Sequence, residues 1–535
     1  MRKLVITFIF ALCISWIFAA NGFDVTFNQP ANDVYELNFQ LGDYNLNEVS
    51  FDGVTYSKII FDGSVNTKLK GFAELPFINA SVRLPADKNV TLKVIEGKYE
   101  EYLLENPLLP SRGVIYRNQD PSTVPYEISQ KSLIDEWYPQ NLANNTSPFI
   151  IKDLRGTTVY VYPFRYNAVQ NILRVYSTMT VQLIENETIA INPLEKQPSK
   201  ILKEMDGIYS SLFVNYEQSK DDLTIGEYGD ILVICTDRDE TAIQPYIDWK
   251  KEKGYNVTLE VVPTNTNVKT NIQNAYDANN DLLYVQLVGD WADIKSDAMG
   301  GAPTDPQLGC VVGSDQVADI TIGRLSANSP AHVTVQVDKI INYEKNPDAG
   351  EEWYQAALGV ASNQGPGDDG ELDYQQIDVI YNDKLDPFTY ESFSTAYDPS
   401  GTAQMVSNAI NSGVSIINYC GHGSETSWGS TGFSNSHISQ LSNGNKLPII
   451  FSVACVNGAF NGGGDCFAEA WLKKENGGAV MTLMSTINQP WDPPMRGQDY
   501  FNDIIIGGYD YSAHPGQNGI NTTEQRTTIG AIVFN

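Results

Sequence analysis

Residues 229–262 have the sequence GDILVICTDRDETAIQPYIDWKKEKGYNVTLEVV, which contains one strand–helix–strand unit. The run GDILVIC is almost entirely apolar, as is typical of a strand buried on both faces. The next segment, TAIQPYIDWKKEKG, has apolar residues at helical spacing and places Gly254 where helices commonly end. NVTLEVVP predicts the second strand, and strands that alternate with helices predict a mostly parallel sheet covered on both faces.

The same alternation continues through the rest of the chain. Further strands are predicted at LLYVQLVGD, DITIGR, QAALGVAS, VSIINYC, LPIIFSVAC and GAVMTLMST, and further helices at VKTNIQNAYDA, SPAHVTVQVDKIINYEK, GTAQMVSNAINSG and FAEAWLKK. We divide this α/β part into two subdomains, residues 226–360 and residues 361–535.

Residues 21–225 follow a different pattern. Short alternating runs such as DVYELNFQLG and LRVYSTMTVQLIE are separated by Gly, Pro, Asn and Asp turns, which predicts an all-β sandwich. The polar stretch 189–226 is interpreted as a linker. The predicted fold is therefore multidomain, an N-terminal all-β sandwich followed by an α/β domain.

The first twenty residues predict a secretory signal peptide. Arg2 and Lys3 precede an apolar run that ends in small residues, which favours cleavage near Ala19 or Ala20 and a secreted or cell-surface protein. An uncleaved anchor is the alternative. We expect no membrane span in the mature form, because no later segment is long and apolar enough.

Charge excludes some classes of partner. Asp and Glu number 65 against 35 Lys and Arg, for a formal net charge of −30. Such a surface repels phosphate groups, so we expect no binding to nucleic acid or to anionic lipid. The acidic surface serves mainly solubility, although it would also favour basic or neutral substrates.

The chain has six cysteines, and cleavage of the signal would remove Cys13. The remaining odd number requires a thiol that is free or bonded between chains, and the absence of paired CxxC spacings argues against structural zinc. Cys235 and Cys420 lie within apolar strands and are predicted to be buried small hydrophobes. Cys310 and Cys466 lie in predicted loops, free or bridged.

Two predicted strands end in reactive side chains. VSIINYC runs into Gly421, His422 and Gly423, and LPIIFSVA runs into Cys455. If the strands are neighbours, His422 and Cys455 share one edge of the sheet, where a base could activate the thiol. A tight turn with an incidental histidine and a merely buried thiol are the alternatives. The other histidines, His332, His437 and His514, lack such a setting.

The stretches NYCGHGSETSWGS, LPIIFSVACVNGAF, CFAEAWL and STINQPWDPPMRGQD resemble the gingipain family of cysteine peptidases, within the caspase-like group. The resemblance covers residues from about 229 to 535 and implies a caspase-like catalytic domain in a cysteine endopeptidase. It implies that Cys455 is the nucleophile and His422 the acid/base, and that the amides of Gly423 and Cys455 form the oxyanion hole.

The resemblance also implies a specificity pocket. The GELD stretch places Asp373 where arginine-specific members carry a pocket aspartate, and Trp491 matches a pocket-wall tryptophan. A carboxylate there would select Arg over Lys through a bidentate pair. A surface helix cap is the alternative role for Asp373. Where these members have a glutamate that orients the histidine, this chain has Gln364, with Asp368 or Asp369 as substitutes.

Two further expectations follow from the family. Its members bind structural calcium, and VVGSDQVAD resembles one such site, so Asp315 and Asp319, with Asp290 as a further candidate, are predicted ligands. No cofactor is expected for catalysis. The chain ends at TIGAIVFN, before the last strand region, the immunoglobulin-like domain and the secretion domain usual in the family, which suggests a fragment or a truncated product.

The N-terminal β region has the position of an inhibitory prosegment, so the chain itself is an expected partner besides protein and peptide substrates. Lys220 lies at the expected junction, and Arg112 and Arg117 are upstream alternatives for a maturation cut. Two other functions stay open: a secretion sortase of the same family and a catalytically silent adhesin on the same scaffold. Asp373 argues against the first, and the presence of both His422 and Cys455 argues against the second.

Overall fold

The computed structural model describes residues 16–20, 22–61, 64–196, 201–217, 229–347, 350–367, 369–514, 517, 519–520 and 525–534. Residues 1–15 of the predicted signal peptide, Lys220 and Asp368 lie outside these ranges. Within them, no helix combines the length and the apolar character needed to cross a membrane.

The N-terminal region has two antiparallel sheets that pack into a sandwich, as predicted, and a separate two-stranded antiparallel sheet at residues 45–60. Its strands are β1 (Trp16–Ala20), β2 (Phe23–Ala31), β3 (Val34–Leu41), β4 (Asn45–Phe51), β5 (Val54–Ile60), β6 (Val65–Asn66), β7 (Pro76–Leu84), β8 (Asn89–Leu103), β9 (Ala143–Asn145), β10 (Phe149–Ile151), β11 (Leu154–Val161), β12 (Phe164–Asn167) and β13 (Ile172–Asn186). One sheet has the order β1-β2-β3-β13-β12 with β8 also on β13, and the other has the order β10-β11-β7-β6 with β9 on β11. Alternate side chains of both sheets, such as Leu37 and Val82, form one core.

A helix interrupts the segment predicted to be a linker. Helix α1 (Lys203–Leu212) buries Met205, Ile208 and Tyr209, which are spaced three and one residues apart on one face. The prediction of a linker was therefore wrong for this part. The charged residues Lys203, Glu204 and Asp206 alternate with the apolar ones, so the segment has a polar composition although one face of the helix is apolar.

The first α/β subdomain has a four-stranded parallel sheet in the order β15-β14-β17-β21. Its elements are β14 (Asp230–Cys235), α2 (Glu240–Glu252), β15 (Val257–Val261), β16 (Thr266–Asn267), α3 (Lys269–Ala278), β17 (Leu282–Val288), β18 (Ile294–Lys295), β19 (Ala298–Met299), β20 (Ala302–Pro303), β21 (Thr321–Leu325) and α4 (Pro330–Lys345). Gly254 follows α2 with φ 101°, which confirms its predicted place at the helix end.

The second α/β subdomain has a five-stranded parallel sheet in the order β23-β22-β24-β27-β28. The strand Ala356–Ala361 belongs to this sheet, so the predicted boundary between residues 360 and 361 was placed too late. Its elements are β22 (Ala356–Ala361), α5 (Asp373–Val379), β23 (Ser392–Tyr397), α6 (Ala403–Ser412), β24 (Ile416–Cys420), β25 (Gly423–Ser424), β26 (Ser427–Trp428), α7 (Asn435–Ile438), β27 (Ile449–Val453), α8 (Phe467–Lys473), β28 (Met481–Met484), α9 (Asp492–Ile506) and α10 (Ile529–Phe534). Helices α6 and α8 pack on one face and α5 and α9 on the other, which confirms the predicted layers.

Candidate active site

The structure brings the predicted histidine and cysteine loops together. Strands β24 and β27 are parallel neighbours with Cys420 opposite Val453, so His422 and Cys455 leave the same edge of the sheet. The amide of Gly421 donates to the carbonyl of Val453 at 3.1 Å and fixes one loop on the other. A methyl group on Gly423 would lie 2.6 Å from the carbonyl oxygen of Cys455, so the close approach of the two loops requires glycine.

Cys455 is buried, with 1% of its surface exposed. The next residue, Val456, has φ 50°, an unusual left-handed conformation for a β-branched side chain, and its amide donates to Ile487 at 3.1 Å. Burial raises the pKa of the Cys455 thiol, and a hydrogen bond from the backbone of Gln489 and the charge of Arg117 oppose the shift. In this form the sulfur is therefore held mainly as the thiol.

Both ring nitrogens of His422 have partners. Nε2 lies 2.7 Å from Oε1 of Gln364, and Nδ1 contacts the carbonyl oxygen of Arg117. Both partner atoms are carbonyl-type oxygens, so the ring lies between Gln364 on one side and the backbone of Arg117 on the other. Gln364 therefore lies at the position predicted for a third catalytic member, beside the nitrogen that faces away from Arg117.

Asp373 is the first residue of α5 and is completely buried, so it is not a surface cap. The hydroxyl of Ser362 donates to its Oδ2 at 2.5 Å. Its backbone amide donates to the carbonyl of Gln364 at 2.9 Å, which links the floor of the pocket to the residue that contacts His422.

The guanidinium of Arg117 fills the space above Asp373. Its Nη1 lies 3.1 Å from Oδ1 and 3.2 Å from Oδ2, and both side chains are fully buried. The guanidinium carbon lies 4.2 Å from the centre of a Trp491 ring, so the predicted pocket-wall tryptophan stacks on the bound arginine. The sequence identified Arg117 only as a possible cleavage site, because nothing near it indicates a partner 256 residues away.

The backbone around Arg117 is bound as an added strand. The amide of Arg117 donates to the carbonyl of Gln489 at 2.8 Å, and the amide of Trp491 donates to the carbonyl of Ile115 at 3.0 Å. Tyr116 and Pro490 form the antiparallel bridge between them. Main-chain pairing beside a side-chain pocket is a common way to bind an extended peptide, so residues 115–117 occupy a peptide-binding edge.

The interpretation of Cys420 as an inert small hydrophobe needs correction. Cys420 is buried as predicted, but its Sγ lies 3.2 Å from Nη2 of Arg117 and 3.3 Å from Oδ1 of Asp373. Burial raises the pKa of this thiol well above its usual value, with Arg117 opposing and Asp373 reinforcing the shift. The protonated thiol therefore donates to Asp373 at the pocket floor. Its place directly before Gly421 and His422 was the only signal in the sequence.

The three predicted calcium ligands do not form a site in the described part of the chain, where no three His, Cys, Asp or Glu side chains are grouped to hold a metal ion. Asp315 accepts from the amides of Ile150 and Val317 at 2.8 Å. Asp319 accepts from the amide of Lys152 at 2.7 Å, and Asp290 accepts from the amide of Ala292 at 3.2 Å. Amide donors therefore occupy part of the acceptor capacity of each carboxylate, and calcium binding by these residues stays a prediction.

The remaining candidates lie apart from this site. His332 is in α4 and His437 is in α7, whereas Nδ1 of His514 lies 3.3 Å from Asp383. All five cysteines in the described residues are free thiols. The expectation of at least one free thiol after removal of Cys13 is met by Cys455 and by Cys420.

Comparisons with known proteins agree with this geometry. A model of Peptidase family C25 matches residues 225–533, and a model of the family's propeptide matches residues 24–223. Gingipain R2 of Porphyromonas gingivalis is 34% identical over 511 residues, which cover 92% of this chain and 68% of the relative. Lys-gingipain HG66 of the same species is 23% identical over 498 residues, or 87% of this chain and 28% of the relative.

Two solved structures are also similar. The crystal structure of the Arg-specific cysteine proteinase gingipain R (RgpB) has a TM-score of 0.53 and 36% identity, over 58% of this chain and 72% of that chain. A complex of the pro- and mature domains of Porphyromonas gingivalis RgpB has a TM-score of 0.52 and 35% identity, over 57% of this chain and 72% of that chain.

Proposed function

The chain belongs to peptidase family C25 and is a cysteine endopeptidase with its propeptide, and we propose that it is a zymogen that cleaves peptide bonds after arginine. The observation that carries the proposal is Arg117 of the prosegment in the pocket of Asp373, with its guanidinium on both carboxylate oxygens. A planar guanidinium can make this paired contact, whereas a lysine ammonium offers a single point of charge.

The residues of the site have defined roles in this proposal. The Cys455 thiol loses its proton to His422, and the sulfur attacks the carbonyl carbon of the bound arginine. The amides of Gly423 and Cys455 stabilise the negative oxygen, and His422 then gives the proton to the leaving amine as the C–N bond breaks. Water attacks the thioester, releasing the acid and restoring the thiol. Gln364 orients the imidazole through Nε2.

The same contacts account for latency. The prosegment fills the pocket with Arg117, pairs its backbone with residues 489–491 and engages Nδ1 of His422. Because the carbonyl oxygen of Arg117 lies against Nδ1, that nitrogen is not free to take the proton of Cys455. The prosegment is thus bound in the manner of a substrate while the histidine is kept from its task as a base.

The proposal extends to where the enzyme acts and to the substrates that it cleaves. We assign residues 1–20 as the export signal, so the enzyme acts outside the cell or at its surface on proteins and peptides with accessible arginine. The acidic chain, with its net charge of −30, suits basic substrates and not nucleic acid.

The proposal is tested by profiling a peptide library with the chain freed of its prosegment. Arginine should dominate at the residue before the cut, and Cys455→Ala should abolish all cleavage. Cys310→Ala, which changes a free thiol in the other subdomain, is the matched control. Cleavage after residues other than arginine at comparable rates, or by the Cys455→Ala chain, would refute the proposal.

A further inference from the structure

A second contact joins the prosegment to the catalytic region through the first α/β subdomain. It consists of Ile150, Lys152 and Asn192 of the prosegment with Asp315 and Asp319 of loop 311–319, and we call these residues the latch. None of them touches His422, Cys455 or the arginine pocket. The latch is thus separate from the contacts that block the active site.

Two carboxylates of the latch bind amides of the prosegment backbone. Oδ2 of Asp315 accepts from the amide of Ile150 at 2.8 Å, and Oδ1 of Asp319 accepts from the amide of Lys152 at 2.7 Å. Ile150 lies in β10 and Lys152, with φ 48°, lies in the turn that follows it, so the two carboxylates bind amides at the end of this strand and in its turn. Hydrogen bonds to charged acceptors are stronger than neutral ones.

Asn192 adds a reciprocal pair. Its Nδ2 donates to Oδ2 of Asp315 at 2.6 Å, and its Oδ1 accepts from the amide of Ser314 at 2.7 Å. A methyl group on Gly313, which has φ 73°, would lie 2.4 Å from Oδ1 of Asn192 and 2.8 Å from Cδ1 of Ile150. The loop therefore approaches the prosegment as closely as glycine permits.

The side chain of Lys152 extends into the catalytic region. Its Nζ donates to the carbonyls of Asn280 at 2.8 Å and Leu282 at 2.9 Å, and it lies 4.7 Å from the centre of the Tyr276 ring. Lys152 is 2% exposed, and Leu283 packs in one core cluster with Tyr209 of the prosegment. The latch is therefore buried around Lys152 and Asp319, whereas Ser314 at its other end is exposed.

We propose that the latch keeps the prosegment bound after the linker between the two parts is cut, independently of Arg117. This inference rests on the proposed zymogen function. Two separate attachments on one rigid sandwich make release of either one reversible, because the other holds the pair at high effective concentration. A cut in the linker alone would therefore leave the enzyme inhibited, and full activation requires loss of the latch.

The test uses the full chain with Cys455→Ala and with a recognition sequence for an added protease inserted after Lys220. After the cut, the rate at which the prosegment leaves is measured by surface plasmon resonance. Asp315→Asn keeps an oxygen for the amide of Val317 but turns an NH₂ group toward Ile150 and Asn192. It should speed dissociation at least about tenfold, in line with loss of hydrogen bonds to a charge.

A double variant that exchanges the side chains at positions 192 and 315 distinguishes loss of this specific contact from general damage to the loop. Asn192→Asp alone sets two carboxylates against each other and should also speed dissociation. Combined with Asp315→Asn, it restores the donor–acceptor pair between positions 192 and 315, although not the acceptor for the amide of Ile150, and should recover part of the retention. Asp248→Asn, at an exposed position on α2 on the other face of the same sheet, is the control and should change nothing.

The outcomes discriminate between the inference and the function on which it rests. Unchanged dissociation in Asp315→Asn, or no recovery in the swapped pair, would overturn the latch. These measurements use an inactive chain, so they hold whatever bonds the enzyme cleaves. Failure of the proposed function would instead appear as loss of arginine preference in the peptide library.

Discussion

Arg117 of the prosegment and Asp373, at the floor of the proposed specificity pocket, form a fully buried ion pair, with Nη1 of the arginine 3.1 Å from Oδ1 of the aspartate. Removing one partner of such a pair leaves a buried charge without compensation, at a cost of about 3–5 kcal/mol. The pair is therefore an inhibitory contact, and a substrate arginine is proposed to make the same contacts with Asp373.

The first prediction concerns Asp373. In the chain freed of its prosegment, Asp373→Asn should lower kcat/KM for arginine peptides by roughly 100-fold or more, because the guanidinium would lose its charged partner. Asp386→Asn, at an exposed position after the same helical stretch, should leave the rate within about twofold. Equal rates for Asp373→Asn and the parent would place the pocket elsewhere.

The second prediction concerns Cys420. Its sulfur contacts both Arg117 and Asp373, so Cys420→Ala should reduce kcat/KM for arginine peptides about tenfold through loss of a buried hydrogen bond to a charged group. Cys420→Ser keeps a donor for the carboxylate and should stay within about threefold of the parent. The measurement is the ratio of arginine to lysine cleavage, which general destabilisation would not shift. An unchanged ratio in Cys420→Ala would show that the sulfur has no part in selection.

The third prediction concerns Gln364. Its Oε1 is 2.7 Å from Nε2 of His422, and loss of that partner should leave the imidazole less well oriented. Gln364→Ala should therefore lower kcat about tenfold while KM changes little. Gln364→Glu keeps an acceptor oxygen at the same place and should recover most of the rate. If both variants lose activity equally, or neither does, Gln364 does not position the histidine.

The fourth prediction concerns the protonation of Cys455. Burial raises the pKa of this thiol in the intact chain, so the reactive thiolate is scarce at neutral pH and increases as the pH rises. Labelling by iodoacetamide should be slow at pH 7 and accelerate at alkaline pH, and removal of the prosegment should speed the reaction at pH 7. Cys455→Ala supplies the background from the other thiols. Equal labelling of intact and freed chains at pH 7 would contradict the assignment.

Much of the catalytic region follows from local sequence pattern. Apolar runs such as Ile416–Cys420 and Ile449–Val453 predict buried parallel strands, and the residues after them predict the site, because strand ends meet at one edge. Helix α9 was missed because Pro493 and Pro494 near its start resemble a turn signal, although proline is tolerated in a first helical turn.

Contacts between distant segments could not be predicted in this way. Arg117 and Ile150 lie in ordinary β-region sequence, and only the assembled fold sets them against Asp373 and Asp315. The acidic loop containing Asp315 suggested a calcium site because carboxylates at alternating positions suit a cation equally well. The amides of Val311, Val312 and Val317 in the loop itself donate to these carboxylates, and those of Ile150 and Lys152 come from the prosegment, whose placement depends on tertiary packing.

The most direct test of the central claim is the initial rate of arginine-peptide hydrolysis by the uncut chain with and without Arg117. The parent should be nearly inactive while gels show it intact, because Arg117 fills the pocket and engages His422. Arg117→Ala should be at least about tenfold more active before any cut, since a buried, hydrogen-bonded charge is lost from the inhibitory contact. Arg117→Ala combined with Asp373→Asn should lose that gain. An uncut parent as active as Arg117→Ala would contradict the account.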